Sequence, residues 1–174
     1  MVECELEYIS KMKQLLDEAS IDYLEEPEGE GGPPLIIAPT AGDDADLPPA
    51  QFGTGVITIN SEPSSEDDGE WPVGILTVPL RTGLTEGQLD ANIQLALGRA
   101  NEDLLTTKVS WTDAADGGAM VWSSVIGWPG DREMLVVLST LKGDAAELEQ
   151  EFGEALGGDR PLTFAEWTTE GDQA

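Results

Sequence analysis

The sequence predicts an α+β domain in which helices cover one face of an antiparallel sheet. Three observations predict it. Three segments repeat apolar residues every three or four positions, and five short β-branched or aromatic runs lie between Gly, Pro and Asp. Their order is helix, three strands, helix, two strands, helix (α-β-β-β-α-β-β-α). Strands and helices segregated in this way pair as antiparallel neighbours and do not form βαβ units.

Val2, Leu6, Ile9, Met12, Leu16 and Ala19 place one apolar stripe on an opening helix over 2–19. The following stretch over 25–34 holds Pro27, Gly29, Gly31, Gly32, Pro33 and Pro34, so a loop is expected. Leu35-Ile36-Ile37-Ala38, Val56-Ile57-Thr58-Ile59 and Val73-Gly74-Ile75-Leu76-Thr77-Val78 read as strands joined by polar, acidic links. Thr85-Glu86-Gly87-Gln88 has the form of a capping box, and Leu89, Ile93, Ala96, Ala100 and Leu104 continue at helical spacing, which predicts a helix over 85–101. Val109-Ser110-Trp111 and the run from Ala119 to Ile126 flank Asp113-Ala114-Ala115-Asp116-Gly117-Gly118. That is a hairpin in which the glycines are expected to supply positive φ. Met134, Leu138, Leu141, Ala145, Leu148, Phe152 and Leu156 predict one long helix that runs through Gly143. The competing reading makes 134–140 a strand, on account of Val136 and Val137, and begins a shorter helix at Asp144. Leu162, Phe164 and Trp167 follow Gly157-Gly158, so the expected layout is one domain over 1–160 and a tail over 161–174 that packs in its first part and frays at its end.

Composition narrows the chemistry. The chain has 174 residues, 40% of them apolar and five of them Trp, enough for one real core. Eight Lys and Arg face 35 Asp and Glu, a net charge of −27, which repels nucleic acid and anionic membrane surfaces. With no histidine, Ser-His-Asp triads, His-ligated metals and histidine bases are excluded. The single Cys4 rules out an intrachain disulfide; Glu3 and Glu5 beside it oppose a reactive thiolate, so it reads as a small buried or half-buried hydrophobe. The acidic N-terminal residues do not form a signal peptide and no run approaches a membrane span, so a cytoplasmic protein is expected.

From Gln14 to Leu80 the chain has no Lys or Arg. One reading is an acidic face for a basic partner peptide; the other is a solvating surface, as in a chain adapted to high salt. Four Lys and four Arg in the entire chain favour the second, because the bias is global. Asp43-Asp44-Ala45-Asp46 and Glu66-Asp67-Asp68-Gly69-Glu70 do not fit the spacing of an EF-hand calcium loop and read as solvated turns. Nothing in the spacing nominates a catalytic, cofactor-binding or metal-ligating residue.

The stretch from Leu89 to Ile126 carries a resemblance: a helix that ends in Ala100-Asn101-Glu102, then Lys108-Val109-Ser110-Trp111, the turn Asp116-Gly117-Gly118, and Met120-Val121-Trp122-Ser123-Ser124-Val125-Ile126. It resembles the type III secretion chaperone-like fold, shared by small acidic secretion chaperones and the YbjN-type family of bacterial sensory transduction regulators. The likeness is close over about a quarter of the chain, and elsewhere it is an order of elements; the acidic loops between Glu25 and Glu70 are longer than that pattern. The resemblance implies a non-enzymatic protein, usually a homodimer, that holds a partner segment on its surface. It names no catalytic residue.

The expected function is therefore an acidic binding module for a protein or peptide partner, without cofactor. The alternatives are a divalent-metal-dependent carboxylate enzyme and an acidic mimic or inhibitor of a basic surface. A sheet covered on one face leaves the other open, and Val73, Ile75, Val109, Trp111, Trp122, Val125 and Ile126 offer apolar side chains in both alternation classes. From these, Ile75, Trp111, Trp122, Val125 and Ile126 form the expected partner or dimer seam, with Trp111 and Trp122 placed to meet across the hairpin or to pack in the core.

Overall fold

The computed structural model describes residues 3–26, 35–38, 50–59, 69–85, 87, 89–112, 117–128 and 130–166. Helix α1 (Glu3–Glu18) is followed by strands β1 (Leu24–Glu26), β2 (Leu35–Ala38), β3 (Ala50–Ile59) and β4 (Gly69–Leu84). Helix α2 (Ala91–Asp103), strands β5 (Lys108–Thr112) and β6 (Gly117–Ile126), and helix α3 (Asp131–Leu156) complete the order. The six strands form one sheet in the order β1-β2-β3-β4-β6-β5, and every neighbouring pair is antiparallel.

Alternation along β4 and β6 defines the two faces of the sheet. Leu76, Val78, Ala119, Val121 and Val125 are buried, and the register pairs Val78 with Val121 and Gly74 with Val125. This face meets all three helices: Tyr8, Met12 and Leu16 from α1, Leu97 from α2, and Met134, Leu138, Leu141 and Leu156 from α3 belong to one core with it. Among the described residues the three helices thus all cover the same side of the sheet, as α+β folds require of an amphipathic sheet.

Two irregularities in β4 shape its far end. The register with β6 shifts between Pro79 and Arg81 and again between Thr82 and Leu84. The first shift adds a residue to β4, so Leu80 is buried and Arg81 too turns toward the helices, opposite Ala119. There Arg81 clamps α3. Its Nη1 donates to Glu149 Oε2 at 2.6 Å and its Nη2 to Glu149 Oε1 at 2.8 Å, while Nη2 also reaches the Gly153 carbonyl at 2.6 Å. A Cβ at Gly153 would stand 2.8 Å from Nη2, so glycine is what lets the guanidinium approach the helix backbone. Past α3 the chain returns to β4: Thr82 and Asp159 exchange backbone hydrogen bonds of 3.0 and 2.8 Å, and Pro161 is buried.

Several sequence expectations need correction. Leu24–Glu26 is a strand paired with Leu35–Ile37, although the acids there read as the start of a loop. The first helix turns Leu6 outward at 46% exposure and buries Tyr8 and Leu15, so its inward face is rotated from the expected stripe. Helix α2 begins at Ala91, with Asp90 as N-cap accepting from the Asn92 amide at 2.6 Å, and Thr85 lies beyond the end of β4. Gly117 and Gly118 are strand residues without positive φ; a Cβ at Gly118 would lie 2.6 Å from the Arg81 carbonyl oxygen, so close strand approach explains that glycine. The strand reading of 134–140 is overturned, since α3 runs uninterrupted through Gly143. The turn at 113–116, the acidic runs at 43–46 and 66–68, the loop at 27–34 and the tail end at 167–174 lie outside the described residues.

Candidate functional site

The face of the sheet turned away from the helices is built from the other alternation class. In β4, Ile75 is 41% exposed and Thr77 and Pro79 are half-buried; in β6, Met120 is 38% exposed and Trp122 half-buried. The register sets Thr77 beside Trp122, Pro79 beside Met120 and Ile75 beside Ser124, so these side chains form two adjacent rows. On the next strand, Lys108 pairs with Trp122, and Ser110 Oγ accepts a 2.6 Å hydrogen bond from the Trp122 indole. That bond holds the ring over β5 and satisfies its one polar atom, which leaves an apolar, oriented surface.

The expected seam residues divide between the two faces. Ile75 and Trp122 lie on the open face. Trp111, opposite Ala119, packs against the core, and Val125 is buried on the helical side. The side chain of Ile126 lies outside the described residues. Trp111 and Trp122 accordingly do not meet, because register puts them on opposite sides of the hairpin. Met120, Thr77 and Pro79 escaped the sequence reading; strict alternation from Trp122 would have found Met120.

The junction of α2 with β5 accounts for the residues that carried the family resemblance. Asn101 Oδ1 accepts from the Val109 amide at 2.8 Å and Nδ2 donates to the Val109 carbonyl at 2.9 Å. This side chain therefore substitutes for a neighbouring strand at the free edge of β5. Lys108 Nζ donates to the Asn101 and Leu104 carbonyls at 2.9 and 2.8 Å, a cation at the negative end of the helix.

On the helical side, α2 and α3 leave a cleft of about 500 Å³. Its floor is Ala96, Ala100, Leu148 and Phe152, all buried or half-buried. The small side chains of Ala96 and Ala100 keep α2 from filling the space. Asp103, Asp144, Glu147 and Glu151 line it with Arg99, four carboxylates against one cation, and Leu105 stands at its edge 93% exposed. Asp144 also accepts from the buried Thr107 hydroxyl. Among the described residues no group of three or more His, Cys, Asp or Glu is arranged to hold a metal, and no helix is long and apolar enough to cross a membrane.

One buried polar atom lacks a hydrogen-bond partner among the described residues, the Tyr8 hydroxyl. It sits against Gly74, where a Cβ would come within 2.0 Å of it. The ring stacks on Trp128 at 6.2 Å, and Lys11 Nζ lies 3.9 Å from the Trp128 ring centre. Burial, followed by the Glu133 carboxylate, pushes the Tyr8 pKa up to about 12.

Helical layer, six-stranded order and open face together define an α+β protein with the YbjN-type fold, and comparison with solved structures agrees. The chain is similar to the crystal structure of YbjN from E. coli, a proposed transcription regulator, at a TM-score of 0.51 and 11% identity, over 82% of this chain and 92% of that one. It is similar also to an uncharacterized protein from Methanothermobacter thermautotrophicus at a TM-score of 0.50 and 9% identity, over 86% and 99%. No family model and no curated protein matches the sequence. At such identities the likeness is one of fold.

Proposed function

We propose that this chain is a non-enzymatic binding module that pairs with a second copy through the open face of its sheet and, as a homodimer, holds a protein partner. The observation that carries the reading is the pair of exposed apolar side chains on that face, Ile75 of β4 and Met120 of β6 at 41% and 38% exposure, with the indole that Ser110 holds over β5. Exposed apolar side chains on a sheet face are a surface that a second copy can cover, and twofold pairing is the commonest assembly. The YbjN-type fold supports a regulator-like role. With a net charge of −27, that role runs through protein contacts and not through a nucleic-acid backbone.

Replacement of both Ile75 and Met120 by Glu tests the reading, because both side chains are exposed and neither belongs to the core. Light scattering of the double variant in high salt is expected to give the monomer mass with an unchanged far-ultraviolet spectrum. A variant that keeps the mass of the parent dimer would overturn the proposed seam.

A further inference from the structure

We propose that the cleft between α2 and α3 is a second binding site, and that its occupant is a cationic amphipathic helix of another protein. This goes beyond the pairing of the open sheet face and does not rest on it, since the cleft lies on the helical side. Its shape and chemistry both point to such an occupant. The α3 wall runs from Thr140 to Phe152 at helical spacing, about 18 Å at 1.5 Å per residue, which matches three turns of a docked helix. The floor of Ala96, Ala100, Leu148 and Phe152 is apolar, and a volume of about 500 Å³ is in the range that accepts anchoring side chains. Leu105, 93% exposed at the edge, extends the apolar floor outward.

Charge complementarity decides the sign of the occupant. Asp103, Glu147 and Glu151 are exposed around the floor and Asp144 is half-buried, with Arg99 the one cation among the lining residues. A segment that presents leucines along one face and lysines or arginines beside them would bury its apolar face on the floor and set its cations against these carboxylates. An acidic segment would be repelled, and a purely polar cation would leave the floor wet.

The probe is a fluorescently labelled peptide of about 14 residues, built of Leu and Lys at helical spacing to match the length of the α3 wall. A control peptide carries Gln in place of each Leu. Anisotropy in about 0.15 M NaCl, where the Debye length is near 8 Å, suppresses attraction to the general negative charge. The Leu/Lys peptide is expected to bind at least roughly tenfold tighter than the control. Ala100→Trp, which fills the cleft, is expected to weaken it by about tenfold or more, and Leu105→Ser by about fivefold. Should Ala100→Trp disturb folding, Leu105→Ser decides alone, since that side chain is almost wholly exposed. The pair Glu147→Gln with Glu151→Gln is expected to weaken binding by about fivefold, while Glu102→Gln with Glu154→Gln, equal in charge but outside the cleft, changes it by less than about twofold. Equal binding of both peptides, equal losses from the two charge pairs, or full affinity in the Leu105→Ser protein would each overturn the assignment.

Discussion

Tyr8 is 1% exposed, with its hydroxyl unpaired among the described residues over Gly74 and its pKa pushed up to about 12 by burial and then by Glu133. An unfolded tyrosine ionises near pH 10, so between about pH 10 and 12 the unfolded chain has lost this proton while the folded chain keeps it. The unfolded state then binds fewer protons, and stability falls as pH rises. Stability is undiminished below pH 10 and falls through this window by about 2 to 3 kcal/mol, because burial penalises the phenolate. Denaturant titrations of the parent and Tyr8→Phe at pH 9 and 11.5 check it. Tyr8→Phe is expected to flatten that part of the decline and, because a buried hydroxyl without a partner is costly, to raise stability at pH 7 by about 1 kcal/mol. A parent protein with the same alkaline slope as Tyr8→Phe would contradict this.

At the scale of elements, the bulge in β4 matters because it delivers Arg81 to α3. The guanidinium meets Glu149 through two parallel bonds and the Gly153 carbonyl through a third, with only 10% of the Arg81 side chain exposed. Arg81→Ala would leave the Glu149 carboxylate without its cation and is expected to cost about 2 to 4 kcal/mol in chemical denaturation; Arg81→Lys, a point charge that cannot fork, is expected to recover less than half of that. Full recovery by lysine would show that charge alone, and not bidentate geometry, joins the strand to the helix.

The same elements show what a linear reading reaches. Met134 to Leu156 repeats so regularly that α3 was legible across a glycine, and Leu35–Ala38 was legible from its β-branched residues. Leu24–Glu26 was not, because two adjacent acids carry no strand signal and only pairing with β2 makes the strand. The Thr85 capping pattern competed with Asp90, and the true cap is the acid that immediately precedes the first helical residue. The open face was legible as an expectation of the fold class, yet which residues occupy it was not. Register sets the face: a slip of β5 by one residue against β6 would carry Trp111 to the face that holds Trp122. The α2–α3 cleft left no mark on the sequence, since it arises from two alanines that face a neighbour about fifty residues away. The fully buried Leu97 was likewise absent from the predicted stripe, displaced by a helix start placed too early.

Over the whole molecule, 35 acids and eight basic residues set the response to salt. Lys11 pairs with Glu7, Lys13 with Glu25 and Arg81 with Glu149, and eight cations in all leave most of the 35 acids uncompensated. Raising the ionic strength from about 0.1 to 1 M shortens the Debye length from about 10 to 3 Å and relieves this self-repulsion. The thermal midpoint is expected to climb with NaCl over that range; a flat or falling midpoint would mean that the acids are too dispersed to act together. The same screening governs self-association, because two bodies of −27 repel until their charges are screened, and the open face lies on the side of the sheet away from the acidic α2–α3 cleft.

Sedimentation equilibrium of the unmodified chain in about 0.5 M NaCl, at tens of micromolar, measures the proposed pairing directly. A covered sheet face requires a dominant species at twice the 18.5 kDa chain mass, and lowering the salt should shift it toward monomer. A single species at 18.5 kDa throughout would contradict the pairing of the open face and, with it, the homodimeric binding module.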